Sequence, residues 1–94
     1  MAFSYCKLKF KIDRCGSLKE KRTNLAALLT RLKKYNLSVI ETASQDNHQQ
    51  IELEIVLVRA NQSLLNQDLC SLSDLIEREF PHLALFEFDK EIYL

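Results

Sequence analysis

The chain has a single glycine, Gly16, and a single proline, Pro81, in 94 residues. One glycine excludes a P-loop, whose phosphate cradle needs several glycines for the backbone N–H groups to close on the ligand. The three cysteines, Cys6, Cys15 and Cys70, form an odd, widely spaced set without a CxxC pair. That pattern argues against a disulfide framework and for reduced thiols in a cytoplasmic protein. It also lacks the ligand spacing of a structural zinc site, and no metal or cofactor is expected. An excess of one charge is absent as well: 13 basic residues face 13 acidic ones. Whole-chain charge therefore singles out neither a nucleic acid nor a membrane as partner, and any such signal must be local. No apolar run is long enough to span a bilayer, and the N-terminus shows no signal-peptide pattern.

What is present reads as one domain over 1–94, with one modest core. Residues 2–12 alternate strictly. Ser4, Cys6, Leu8, Phe10 and Ile12 fall on one face; Phe3, Tyr5, Lys7, Lys9 and Lys11 fall on the other. This is the period-two signature of a half-buried strand. Residues 13–16 make a turn. Ser17 then caps a helix, and Glu20 three residues later completes a capping box. Leu18, Leu25, Leu29 and Leu32 recur at helical spacing, with Leu28 and Tyr35 widening the stripe, and Asn36 ends the helix.

Residues 37–42 read as a short strand with Leu37 and Val39 inward, and 43–49 as a polar hairpin connection. Alternation returns over 50–59: Ile51, Leu53, Ile55 and Leu57 point in, Glu52, Glu54, Val56 and Val58 out. A second helix, capped by Asn61 or Ser63, carries the stripe Leu65, Leu69, Leu72 and Ile76 and stops at Phe80-Pro81. The last strand covers about 83–93, with Ala84, Phe86 and Phe88 inward and Leu85, Glu87, Asp89 and Glu91 outward.

The element order is βαββαβ. Right-handed crossovers then give an α+β, ferredoxin-like fold: an antiparallel sheet of order 4-1-3-2 with both helices on one face. Charge patterning agrees with it. The outward lysines of the first strand would lie between Glu52 and Glu54 on one side and Glu87, Asp89 and Glu91 on the other, and opposite charges across strands stabilise a sheet modestly.

This topology gathers three connections at one end of the sheet, together with Arg14, Cys15, the 17–22 segment, Gln45, Asp46, His48 and His82. The helix start there holds Lys19, Lys21 and Arg22, although cations cost stability at a helix N-terminus. Two explanations are open: the cations pair with acids such as Asp13, Asp46, Glu41 or Glu79, or they hold a place for an anion. Arg22 lies between Leu18 and Leu25 on the apolar stripe, so its stem is expected to be half-buried and its head tied to an acid. Arg14, Lys19, Lys21 and Arg22, with His48 at the rim, form the candidate anion or RNA site.

The open sheet face is a second candidate surface. It lacks the RNP pattern of base-stacking sheets, and its acidic columns would repel phosphate. Its exposed apolar residues Phe3, Tyr5, Val56, Val58 and Leu85 mark a subunit interface. Catalysis has little support. Cys15 beside Arg14 has no established base, and the first loop, Asp13-Arg14-Cys15-Gly16, lacks the glycine-rich cradle of the acylphosphatases, which share this size and element order.

Ser17-Leu18-Lys19-Glu20-Lys21-Arg22, Leu37-Ser38-Val39 followed by Glu41, Gln45-Asp46 with Gln49, and Glu52-Leu53 together give the chain a nearly full-length resemblance to the YlxP-like family, a bacterial group of unknown function. The resemblance implies a ferredoxin-like fold, a small homo-oligomer and a cytoplasmic protein. Family genes often neighbour those of translation initiation and ribosome maturation, which implies an RNA- or ribosome-linked role and no catalytic residue. Two functional readings follow: a non-enzymatic binding module near RNA or the ribosome, and a homo-oligomeric interaction or regulatory domain that uses its open sheet face.

Overall fold

The computed structural model describes residues 1–12, 18–42 and 49–94. Its elements are β1 (Ala2–Ile12), α1 (Leu18–Lys33), β2 (Ser38–Glu41), β3 (Gln50–Arg59), α2 (Gln62–Glu79) and β4 (Leu83–Tyr93). The four strands form one antiparallel sheet of order β2-β3-β1-β4, the expected ferredoxin-like arrangement.

β1 is central because its alternation supplies one face that is apolar except for Ser4, whose hydroxyl donates to the Glu91 carbonyl. Ala2, Ser4, Cys6, Leu8, Phe10 and Ile12 are buried. They meet Ile51, Leu53, Ile55 and Leu57 of β3, together with Leu25, Leu28 and Leu32 of α1 and Leu65, Leu69, Leu72 and Ile76 of α2, in one cluster. Both helices therefore cover the same side of the sheet. Each fully buried Leu, Ile or Phe contributes about 1.5–3 kcal/mol.

The ends of the helices follow from local chemistry. Asn61 caps α2, its Oδ1 accepting from the Leu64 N–H at 2.9 Å. Asn36 takes a left-handed conformation, φ 56°, which Asn tolerates better than most residues, and so ends α1. Before it, Lys34 and Tyr35 donate to the carbonyls three residues back, tightening the last turn. The expected cap at Ser17, the turn at 13–16 and the hairpin at 43–48 lie outside the described residues.

β4 corrects one expectation. Its pairing with β1 slips between Lys9 and Phe10, where Lys9 faces Glu87 but Phe10 faces Leu85. This bulge leaves Phe86 without a partner in the ladder and inverts the alternation on either side of it. Leu85, expected outward and at an interface, instead packs against the core with Leu83, Phe88 and Ile92. Ala84 and Phe86, expected inward, are exposed; Phe86 is 49% accessible, with the Lys11 ammonium 5.5 Å from its ring centroid. The outward placement of Glu87, Asp89 and Glu91 holds, since they pair with Lys9, Lys7 and Tyr5.

The bulge makes a size-inverted prediction. Leu85→Ala should cost about 2 kcal/mol and the larger truncation Phe86→Ala under about 1 kcal/mol, because only the first empties core space. Urea unfolding of both variants decides it; the reverse order would put Phe86 inside.

Candidate functional site

The start of α1 separates the two explanations for its cations. Lys21, not Arg22, lies on the buried side of the helix, in phase with Leu25, Leu28 and Leu32. Its side chain is only 2% accessible, and its ammonium lies 3.4 Å from the Glu41 carboxylate at the end of β2. Lys21 is therefore a buried structural cation, and its expected role as an open phosphate contact is corrected. Arg22 is corrected in the opposite sense: it is exposed, whereas a half-buried stem was expected. The reason is helical phase. One residue is 100° of rotation, so a stripe through positions 21, 25, 28 and 32 leaves 22 facing water.

Lys19 is exposed, and so is Arg22, which borders a small cavity of about 240 Å³ shared with Lys21, Leu25 and Glu41. Nearby, His82 Nε2 and Asn24 Oδ1 are 2.9 Å apart, so the α2–β4 connection does reach the first turns of α1. Arg14 and His48, like Cys15, Gln45 and Asp46, lie outside the described residues. Of the acids weighed as partners for the helix start, Glu41 takes Lys21. Glu79 instead pairs with Arg31 at 2.6 Å, at the other end of α1.

Arg59 is a half-buried cation that sequence reasoning passed over as a strand end. Its guanidinium bonds Asp68 of α2 and the carbonyls of Tyr35, Asn36 and Val58. It thus holds the carbonyls of the turn that follows α1 and ties β3 to that turn and to α2. An Arg at a strand end, nine residues before an Asp on the following helix, was the only available signal.

The open sheet face divides into two ends. At one end the expected charge columns form: Lys9 lies 3.3 Å from Glu87 and 3.9 Å from Glu52, and Lys7 stands in register between Glu54 and Asp89. At the other end lies an apolar cluster. Phe3 stacks on Tyr93 with centroids 4.8 Å apart, Phe3 and Tyr5 pair with Val58 and Val56, and Ile40 stands on the neighbouring strand. Val58 is 52% accessible, Tyr93 45% and Ile40 60%. A shallow concavity of about 540 Å³ runs from Tyr5 and Val56 over the edge of β2 to Leu37. The candidates Phe3, Tyr5, Val56 and Val58 are thus brought together. Ile40 and Tyr93 join them unforeseen, although the alternation of their own strands already placed both outward.

Two described thiols differ sharply. Cys6 is buried and Cys70 exposed. Burial pushes the Cys6 thiol above its ordinary value of 9.0, against the Ser4 hydroxyl and the Lys90 charge, which lower it. A neutral buried thiol is a poor nucleophile.

Compared with known proteins, residues 3–89 match the model of DUF503, a protein family of unknown function. The chain belongs to the DUF503 family. No curated protein matches it. Among solved structures, this DUF503 chain is similar to protein SO0527 from Shewanella oneidensis, with a TM-score of 0.53, 13% identity, and coverage of 97% of this chain and 88% of that one. It is also similar to the de novo designed protein Foldit4, with a TM-score of 0.52, 8% identity, and coverage of 99% and 96%. At such identities the likeness concerns the fold alone.

Two measurements check the buried groups of this DUF503 domain. Lys21→Met should cost about 2–4 kcal/mol by stranding Glu41, while Lys21→Met combined with Glu41→Leu should recover most of that loss. A single variant as stable as wild type would show that the pair carries no weight. Iodoacetamide at pH 8 should label Cys70 within minutes and Cys6 only on unfolding, read by peptide mapping. Because the folded state holds the Cys6 proton more tightly than the unfolded chain, this group's contribution is complete below about pH 9 and is lost as pH rises further.

Proposed function

We propose that this chain is a non-enzymatic cytoplasmic interaction module that self-associates through the apolar end of its open sheet face. The observation that carries this reading is the contiguous cluster of Phe3, Tyr93, Val58, Val56, Tyr5 and Ile40 on a surface no helix covers. Apolar side chains grouped on an otherwise charged face gain most by being withdrawn from water together. In the charged columns beside them, Lys9 is half-buried between Glu87 and the buried Glu52 and fixes the register of the face.

A second reading rests on Lys19 and Arg22. Both are exposed on the first turns of α1, where backbone N–H groups also attract anions. On this reading the chain is YlxP-like in the finer sense and binds RNA or a ribosomal surface there. Burial removes Lys21 from that surface, so a substitution at Lys21 would report stability rather than binding.

Sedimentation velocity separates the two. The first reading expects wild type to associate at about 100 µM and Phe3→Glu with Val58→Glu to be a folded monomer by circular dichroism, because two buried charges would each cost several kcal/mol at the interface. A monomeric wild type would overturn it. The second expects nucleic acid to copurify and to disappear with nuclease. Lys19→Glu with Arg22→Glu should then weaken RNA binding and reduce its salt slope by about 1–2. Unchanged RNA binding at low salt in that variant would remove the second reading.

A further inference from the structure

The open face carries a two-dimensional pattern that selects how a second copy sits on it. Reading outward-facing pairs along β1 and β3, Phe3 lies beside Val58, Tyr5 beside Val56, Lys7 beside Glu54 and Lys9 beside Glu52. The β1 column thus runs from aromatic to basic, and the β3 column from aliphatic to acidic. β4 flanks the β1 column on its other side, with Glu87 beside Lys9, Asp89 beside Lys7 and Glu91 beside Tyr5.

Two sheets of this kind stack face to face about a two-fold axis lying in the plane between them. An axis across the strands sets each strand over its own copy, so the lysine column can meet only itself or the apolar end, and the acidic columns do the same. An axis along the strands, midway between β1 and β3, does the opposite. It sets every residue over the partner's copy of its own cross-strand neighbour. Phe3 then covers Val58, Tyr5 covers Val56, Lys7 covers Glu54 and Lys9 covers Glu52, each contact occurring twice.

We propose that the occupant of this face is a second copy of the chain, related by a two-fold axis parallel to the strands between β1 and β3. This rests on the self-association reading above and adds the geometry of the pair. Charge complementarity is the deciding observation, since like charges stacked across an interface suppress the alternative axis. The natural angle of about −30° between packed sheets keeps register best near the axis, where β1 and β3 carry the pattern. Three strands of about nine residues and the four residues of β2, about 4.8 Å apart at about 3.3 Å per residue, give a footprint near 500 Å² per copy. The total of about 1,000 Å² is at the threshold of a biological interface.

A charge-swap mixture tests the axis. Lys7→Glu alone sets Glu over Glu54, and Glu54→Lys alone sets Lys over Lys7, so each variant should self-associate at least about tenfold more weakly than wild type. In a 1:1 mixture both contacts become opposite-charge pairs, and affinity should return to within about threefold of wild type. Thermal melts establish that each variant folds. An independent reading uses wild type itself: carbodiimide treatment of mixed ¹⁴N and ¹⁵N protein should yield mixed-isotope cross-links of Lys7 to Glu54. A mixture no tighter than its components, or only same-isotope cross-links, overturns the axis, while loss of association in the Phe3→Glu, Val58→Glu variant keeps the parent reading. A monomeric wild type overturns both.

Discussion

The pairing of β1 on both its edges is the constraint on which everything else in this molecule depends. As the inner strand between β3 and β4, β1 has its backbone groups taken up along its whole length. A central strand whose side chains alternate cannot slip by one residue without turning Leu8 and Phe10 to water and Lys7 and Lys9 to the core. That penalty locks the register of its neighbours. The register, in turn, assembles the two surfaces of the sheet: a dry one under the helices and an outer one whose rows pair Lys with Glu at one end and aromatic with aliphatic side chains at the other.

The cations of the chain divide by what the fold makes of them. Lys21 and Arg59 are drawn inward and act as ties, one between α1 and the end of β2, the other between β3, α2 and the turn that follows α1. Both hold elements whose apolar contacts are thin: β2 has only four residues, and α1 ends in an irregular turn. Such charges are costly to bury and valuable only when paired, so their weight lies in fixing where β2 and α1 sit. Lys7, Lys9 and Lys11 stay at the outer face, where their pairing is shallow and remains available to a neighbour.

Most of the fold was legible because the strands are strictly periodic and each helix has one dominant stripe. β1 and β3 could be assigned residue by residue from alternation alone. Two failures have physical causes. The bulge at Phe86 is a defect of pairing, and the run Leu-Ala-Leu-Phe-Glu-Phe shows no polar residue where the phase inverts, so alternation was carried straight through it. At the start of α1, Lys21 and Arg22 are both long cations, and a stripe anchored on Leu18 and Leu25 admits either one. Only the placement of Glu41 beneath the helix decides that Lys21 goes in. The apolar end of the outer face was partly legible for the same reason as the core: Phe3, Tyr5, Val56 and Val58 come from the two strands with the cleanest alternation, while Ile40 belongs to a strand too short to read with weight.

The edges of the sheet explain why association should use its face. An exposed edge strand is a template for another chain, and β2 and β4 are the two candidates here. β2 offers four residues, too few for a ladder of its own. β4 is long enough, but the bulge at Phe86 distorts its backbone, and Glu87, Asp89 and Glu91 follow at three successive outward positions. Antiparallel pairing of β4 with its own copy, inner faces on one side, would bring those carboxylates against one another. Both edges are thus blunted by ordinary means, one by brevity and one by twist and charge. The surface left without such protection is the outer face near Phe3 and Val58, where apolar groups stand grouped with Glu91 at their β4 margin. A sheet that defends its edges and leaves one end of its face apolar directs contact to that face.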